Sequence, residues 1–265
     1  MNKLLPITPK QQTTLQLIYT YRFLNTKHIQ VLLNHKDKRR ITKWLKDLTE
    51  KGYLVRIYDP TDFIAKSRPA IYYLGLNGVR HLRSLTDEDG EPLYLPGELR
   101  KRYKESTRSQ SYIDQCLLIA DCCISMQQQT NDKKQYEHYV RSEIGDDPEY
   151  FDYLDELRPD ICFRTKTKDK ETSYLLQLFS LTTPKYSTNK ALKRYIVHID
   201  EYDYNDKPIA LLAFSELRDM IAAKRRALYI LRERGAEEEL SYYIRFSAYD
   251  KIRSDDVTGA IWEEV

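Results

Sequence analysis

Apolar residues recur at helical spacing through the first fifty positions of the chain. Thr8 followed by Pro9 is a typical helix start, because a threonine hydroxyl caps free N–H groups and proline fits the first helical position. The pattern predicts three helices. The first covers residues 8–21, the second runs from Asn25 or Thr26 to about residue 33, and the third covers residues 38–51. The apolar residues that form this pattern are Leu15, Ile18, Tyr19, Phe23, Ile29, Leu32, Leu33, Ile41, Leu45 and Leu48.

The pattern then changes to strand-forming residues. Residues 53–58 and 70–74 predict two strands, which are separated by a turn at residues 59–62 and a basic loop. Residues 76–82 predict a further helix. Three helices followed by a two-stranded wing form a winged helix-turn-helix module, which is typical of DNA-binding domains.

A different organisation follows. Residues 84–98 are rich in acids, proline and glycine, which indicates a loop, and a long helix follows that ends near Gln129. Beyond it the pattern predicts a mixed α/β layer like that of restriction endonucleases. The predicted strands cover residues 135–144, 159–165, 172–179, 208–214 and 240–247, and the predicted helices cover about 186–200 and 215–234.

Composition narrows the protein class. The chain has 265 residues, of which 41% are hydrophobic, so it can form one large core or two small ones. No apolar run approaches the roughly 20 residues that a membrane helix needs, and the first residues contain no apolar signal-peptide core. The four cysteines and five histidines show no metal-ligand spacing. We therefore expect a cytoplasmic protein without a membrane partner, a resident metal or another cofactor.

The overall charge of +3 conceals an uneven distribution. Residues 1–83 contain 16 Lys and Arg and 5 Asp and Glu, a net charge of +11, so residues 84–265 contain the remaining 27 and 35, a net charge of −8. Such asymmetry favours a polyanion as the partner of the basic part. We predict a DNA-binding domain over residues 1–83, a connector over 84–104 and a nuclease-like domain over 105–265.

The third helix and the wing provide the candidate contacts with double-stranded DNA. In a winged helix the third helix enters the major groove, and the wing loop touches phosphate or the minor groove. The exposed side of this helix is basic, and arginine can read guanine with two hydrogen bonds. The alternative is a solvated basic face that contacts protein. The candidate DNA-binding residues are Lys38, Arg39, Arg40, Thr42, Lys43, Lys46, Lys66 and Arg68.

The second domain provides only a weak candidate for catalysis. A metal-dependent nuclease of this fold needs carboxylates on adjacent strands for a divalent ion, together with a lysine near the attacking water. Asp160 begins one predicted strand and Glu143 belongs to the preceding one, but Gln177 and Phe179 occupy the usual places of the second acid and the lysine. A neutral amide holds Mg²⁺ poorly. We therefore expect a degenerate site, with Asp160 as a structural acid paired with Arg158 or Lys193.

These features together resemble a known family. The stretch ITPKQQTTLQLIYTYRFLNTKHIQVLL, the strand that begins with RPD at residues 158–160 and the run KALKRY at 190–195 are similar to the replication-relaxation family of bacterial plasmids and integrative elements. The resemblance implies DNA relaxation, replication or transfer of mobile elements, and a second domain related to nucleases. Asp160 matches by position, whereas Gln177 and Phe179 replace the acids common on the third strand, which favours a binding or adaptor role.

Three functions follow from this reading. The first is a DNA-binding accessory protein of a mobile element, acting in plasmid replication, relaxation or conjugative transfer, with a relaxase or replication protein as its protein partner. The second is a transcriptional repressor that forms a homodimer through the helix predicted over residues 105–129. The third is a Mg²⁺-dependent endonuclease centred on Asp160. Steep weakening of DNA binding by salt would favour the first two.

Overall fold

In the computed structural model, residues 4–58, 68–147, 149–154, 157–202, 207–254 and 256–265 are described. They form two compact units, residues 1–120 and 121–265, each with helices and its own β-sheet. The predicted mixed α and β class is confirmed. The boundary at residue 120 falls inside a long helix; the division at residues 83 and 104 stays a prediction, as do the winged-helix and nuclease-like interpretations.

The first unit contains most of the elements expected from the sequence. Its described elements are α1 (Pro9–Tyr21), β1 (Leu24–Asn25), α2 (Thr26–Leu32), α3 (Lys38–Glu50), β2 (Leu54–Ile57), β3 (Ile71–Leu74), α4 (Leu76–Arg83), α5 (Pro96–Lys101), a 3-10 helix (Arg102–Thr107) and the first half of α6 (Gln110–Gln129). The three strands form an antiparallel sheet in the order β1-β3-β2.

The predicted helix starts are confirmed. The Thr8 hydroxyl accepts a hydrogen bond from the Gln11 N–H, and the Gln11 side chain accepts one from the Thr8 N–H, which forms a capping box. Asn25 caps α2 by accepting from the His28 N–H at 3.0 Å. Gly52, which follows α3, has a φ of +71°, a left-handed conformation that favours glycine after a helix.

One side of each of these helices forms the core of the first unit. Leu15, Ile18, Ile41 and Leu45 are fully buried, as the helical spacing predicts. A close backbone contact explains Gly78 in α4: a Cβ atom at this position would lie 2.3 Å from the Tyr53 carbonyl oxygen. Any larger residue would push α4 away from the start of β2.

The region between α4 and α6 combines a loop with two short helical segments. The loop predicted over residues 84–98 is confirmed as far as Leu95, but a short helix occupies its last residues, and the long helix expected after it begins only at Gln110. Helix α5 begins at Pro96 with Leu99 fully buried, and the chain becomes extended at Arg108, where ψ is 141°. The Arg22 side chain forms an ion pair with Glu105 at 2.7 Å, which fixes the 3-10 helix against the end of α1.

The second unit is a mixed sheet with helices. Its described elements are the rest of α6, β4 (Gln135–Val140), α7 (Arg141–Asp146), a 3-10 turn (Asp152–Leu154), β5 (Ile161–Lys166), β6 (Glu171–Phe179), α8 (Lys185–Asp200), β7 (Ile209–Phe214), α9 (Leu217–Arg234), α10 (Glu237–Leu240), a 3-10 turn (Ser241–Tyr243), β8 (Ile244–Ala248), α11 (Tyr249–Ser254) and β9 (Glu263–Glu264). The strand order is β4-β5-β6-β7-β8-β9.

Strand direction changes in the middle of this sheet. Strands β4, β5 and β6 are antiparallel, β6, β7 and β8 are parallel, and β9 is antiparallel. The run Ile209–Phe214 is buried at every residue, as expected for a parallel strand covered on both faces. Helices α8 and α9 connect the parallel strands and pack on each other, with Leu192, Tyr195 and Ala227 in their shared core.

Two predicted strand limits were wrong. Strand β4 ends at Val140, and Glu143 lies in α7, not on a strand. The Glu143 carboxylate accepts a hydrogen bond from the Val140 N–H at 2.8 Å, which stabilises the start of α7 and therefore ends the strand. The last predicted strand begins at Ile244 and not at residue 240, because α10 and a 3-10 turn precede it.

No helix in the described parts of the chain is long and apolar enough to cross a bilayer.

Candidate nucleic-acid interface and candidate metal position

Helix α3 exposes a basic face opposite its apolar one. Asp37 caps the helix by accepting from the N–H groups of Arg39 and Arg40 at 2.8 and 3.3 Å. Ile41, Leu45 and Leu48 are fully buried and fix which side of the helix faces the core. All six candidate residues on α3 are therefore exposed: Lys38, Arg39, Arg40, Thr42, Lys43 and Lys46.

Three of these cations form a row. Arg39, Lys43 and Lys46 are spaced by four and three residues, so their side chains are neighbours along one side of the helix. Lys46 lies 3.7 Å from Glu50 in an exposed pair, which is weak in water. Among the described residues, no carboxylate forms an ion pair with Lys38, Arg39, Arg40 or Lys43. The row is therefore available to an external anion.

Polar contacts fix the orientation of α3 relative to α1. The Gln11 amide donates to the Asp47 carboxylate at 2.6 Å, and the Lys51 ammonium group lies 2.9 Å from it. The hydrogen bond from Lys51, followed by that from Gln11, lowers the pKa of Asp47. Asp47 thus joins α3 to α1, and it also interacts electrostatically with Lys43 of the basic row.

The structure describes one of the two candidate DNA-binding residues in the wing. Arg68 is exposed just before β3, and Lys66 lies outside the described residues. The structure also exposes Lys27 on α2, Lys36 before α3 and Arg56 on β2, which the motif reading did not single out. These three residues are part of the positive charge counted over residues 1–83. A count of charges does not show which lysines and arginines lie on the same surface.

In the second unit, Asp160 is the centre of a hydrogen-bonded cluster that we name the Asp160 clasp. Its members are Arg141, Asp160, Gln177 and Leu178. The carboxylate of Asp160, which is 2% exposed, accepts from the Gln177 amide at 2.7 Å and from the Leu178 N–H at 2.8 Å. Arg141 lies 3.1 Å from its other oxygen. The clasp ties the starts of α7 and β5 to the end of β6.

Neighbouring groups complete the clasp. Arg141 also donates to the Gln177 side-chain oxygen at 3.3 Å and to the main-chain carbonyls of Arg158 and Pro159. The Tyr195 hydroxyl lies 3.5 Å from the same Gln177 oxygen. Burial, and then the nearby Asp160 charge, raise the pKa of Tyr195, so it remains a neutral hydrogen-bond donor. Arg141 and Tyr195 were not predicted, because only the fold brings residues so distant in sequence together.

This chemistry does not fit a divalent metal. The cationic Arg141 occupies one side of the Asp160 carboxylate, and the neighbouring Gln177 contributes no charge. Phe179 is buried and stacks on Phe214 at 4.7 Å between ring centres. Glu143 caps a helix instead of extending from a strand. The described residues contain no group of three or more Asp, Glu, His or Cys that could hold a metal ion.

The comparison with known families matches residues 15–202 to the replication-relaxation family. The chain belongs to this family. Membership indicates a role in replication or in the functions of mobile elements. The replication-relaxation match includes both α3 and the Asp160 clasp. No curated protein matches the sequence significantly.

Proposed function

We propose that this protein is a DNA-binding accessory protein of a mobile genetic element, which acts in plasmid replication, relaxation or conjugative transfer. In this proposal the first unit is a winged helix and α3 contacts double-stranded DNA. The observation that carries the proposal is the exposed row of Arg39, Lys43 and Lys46, opposite the buried Ile41, Leu45 and Leu48. Family membership supports the biological setting.

The arrangement suits phosphate and base contacts together. Lysine binds phosphate mainly as a point charge, whereas arginine forms paired hydrogen bonds with phosphate or guanine. Arg39 and Arg40 lie at the start of α3, and a recognition helix contacts base edges with its first residues. Replacing both with alanine is expected to weaken binding by about 1–3 kcal/mol if one of them reads a base.

The second unit supports an adaptor role more than a nuclease role. Its clasp uses Asp160 to hold Arg141 and Gln177, which is a structural arrangement. We propose that this unit contacts a relaxase or another replication protein. The neighbouring genes provide an independent check: a relaxase gene beside this one agrees with the proposal, whereas an isolated divergent operon favours the repressor alternative.

A salt titration of duplex binding tests the role of α3. The full chain is compared with a variant in which Arg39, Lys43 and Lys46 are replaced by alanine, using fluorescence anisotropy of labelled duplex DNA. Each lost phosphate contact should reduce the slope of log affinity against log salt by about 0.9, and the triple variant by about 2.7. The wild-type chain should bind duplex DNA with a clear dependence on salt.

The matched control removes the same charge elsewhere in the same unit. Arg80, Arg100 and Lys104 are exposed on other elements, and their replacement by alanine should leave the slope nearly unchanged. If both triple variants reduce the slope equally, the effect reflects total charge and α3 is not the contact surface. If the wild-type chain fails to bind duplex DNA at low salt, the proposal is wrong.

A further inference from the structure

A cavity of about 530 Å³ lies in the second unit at the carboxyl ends of β6 and β7. In open sheets with parallel strands, small ligands bind beyond this edge of the strands. The volume is within the range of small-molecule sites. Two stacked rings, Phe179 and Phe214, together with Ala222 and Ala223, provide its apolar surface.

The charged residues of the cavity are mainly cations. Lys185 begins α8, Arg218 is near the start of α9 and Arg226 lies two turns further on, while Asp219 is the carboxylate among the described lining residues. Asp219 lies 4.0 Å from Arg218, at the limit of an ion pair. Arg226 packs its guanidinium group over the Tyr229 ring at 4.9 Å, which restricts its movement.

This positive charge stands out because the unit is acidic. Residues 121–265 contain 22 Lys and Arg and 28 Asp and Glu, a net charge of −6, yet the cavity lining has a net charge of +2. Among the described residues, no carboxylate forms an ion pair with Lys185 or Arg226. Cations that line a cavity without enough acids to neutralise them favour an anionic ligand.

Small polar groups line the same cavity. Ser180, Thr182, Thr183 and Thr188 provide hydroxyls, and Asn189 provides an amide. The Ser180 and Thr183 hydroxyl oxygens lie 3.2 Å apart, and the Thr183 hydroxyl also accepts from the Ser180 N–H at 3.1 Å. Hydroxyl and amide donors beside arginine and lysine are the groups that bind phosphate oxygens.

We propose that this cavity binds the phosphate group of a nucleotide, with Arg218, Arg226 and Lys185 around the phosphate and the apolar surface against the sugar or base. The phosphate can come from a free mononucleotide or from the phosphorylated end of a DNA strand, since both have the same chemistry. The inference goes beyond the proposed function, because it concerns the second unit and none of the α3 residues.

Calorimetric titration of the full chain tests the proposal with four probes. These are dAMP, the nucleoside deoxyadenosine, a short single-stranded oligonucleotide with a 5′ phosphate and the same oligonucleotide without it. The wild-type chain should bind at least one phosphorylated probe and should bind the matching unphosphorylated probe at least about tenfold more weakly. Binding of dAMP identifies a free nucleotide as the source, and binding of the phosphorylated oligonucleotide alone identifies a strand end.

A double variant and a matched control locate the site. Replacing Arg218 and Arg226 with alanine should weaken binding of the phosphorylated probe by at least about tenfold. The control replaces Lys190 and Arg225, which are exposed cations on the same two helices but outside the cavity, and should change the affinity by less than about twofold. Circular dichroism and the melting temperature report whether both variants remain folded.

Three results would overturn the proposal. They are the absence of binding by the wild-type chain to every phosphorylated probe, equal weakening in the cavity and control variants, and equal affinity for probes with and without phosphate. The α3 triple variant separates this proposal from the first one. It should lose duplex binding but retain the affinity for the phosphorylated probe, so failure of one proposal does not imply failure of the other.

Discussion

Replacement of Asp160 with alanine should destabilise the second unit without affecting the first. The change removes the acceptor of the buried Leu178 N–H at 2.8 Å and of the Gln177 amide at 2.7 Å. A buried donor left without a partner costs about 1–3 kcal/mol. The Arg141 side chain is 49% exposed, so water replaces its lost ion pair and its share stays below about 1 kcal/mol. We expect a total loss of about 2–4 kcal/mol.

The two tryptophans make this measurable for each unit separately. Trp44 lies in the first unit and Trp262 in the second, where the indole N–H donates to the Val257 carbonyl at 2.8 Å. In a Trp44→Phe background, the fluorescence of Trp262 reports urea unfolding of the second unit. With a typical urea m-value of about 2 kcal/mol/M, the midpoint should fall by about 1–2 M.

The control is Asp169→Ala, because Asp169 is exposed in the turn before β6. Its replacement should change the free energy of unfolding by less than about 0.5 kcal/mol. The reasoning is refuted if Asp160→Ala costs no more than Asp169→Ala. It is also refuted if Trp44 fluorescence, followed in a Trp262→Phe background, reports an equal loss of stability in the first unit.

Three further predictions concern charge and packing. Gln177→Glu places a second carboxylate against Asp160, which raises the pKa of the new acid. The stability of this variant relative to wild type should therefore fall as the pH rises from about 4 to 7. A difference in melting temperature between variant and wild type that stays constant over this range would contradict the prediction. Gly78→Ala should cost about 1–3 kcal/mol because its Cβ would overlap a backbone carbonyl oxygen. Gly97→Ala, with open space around it in α5, should leave the free energy of urea unfolding unchanged or raise it by up to about 1 kcal/mol, because alanine favours a helix more than glycine does. Asp47 has a lowered pKa in the folded state. Its ionised side chain therefore stabilises the folded protein above the pKa of about 4 that it has in the unfolded state, and this stabilisation is lost as the pH falls through its lower pKa in the folded state. Asp47→Asn should therefore flatten the acid side of the stability profile, and an unaltered profile would show that these hydrogen bonds contribute nothing.

Local signals were sufficient for much of the first unit. The Thr8-Pro9 start, the Asn25 cap and the glycine after α3 act through groups within a few residues, so a one-dimensional pattern contains them. The spacing of Ile41 and Leu45 likewise determines which side of α3 is buried and therefore which cations are exposed. The set of cations that α3 exposes follows from this pattern.

The limits of elements were less predictable where two local signals compete. Residues 135–144 have strand-forming character, but the Glu143 cap begins a helix after Val140. The chain before Gln110 forms α5 and a 3-10 helix, in which Glu105 pairs with Arg22 across more than eighty positions. Prediction from a sequence pattern uses only residues that are close in sequence, so it does not include contacts between residues that are far apart along the chain.

The sequence by itself determined most of the helices and strands of the first unit, the basic face of α3 and the lack of an acid at Gln177. Only the tertiary structure decided what surrounds Asp160: Arg141 and Gln177 contact it directly and Tyr195 contacts Gln177, and these three come from a helix start, a strand and another helix. It alone also gathered Lys185, Arg218 and Arg226 at one cavity inside an acidic unit. Charge along a chain can be counted from its residues, but the potential at a site depends on distances that the fold establishes.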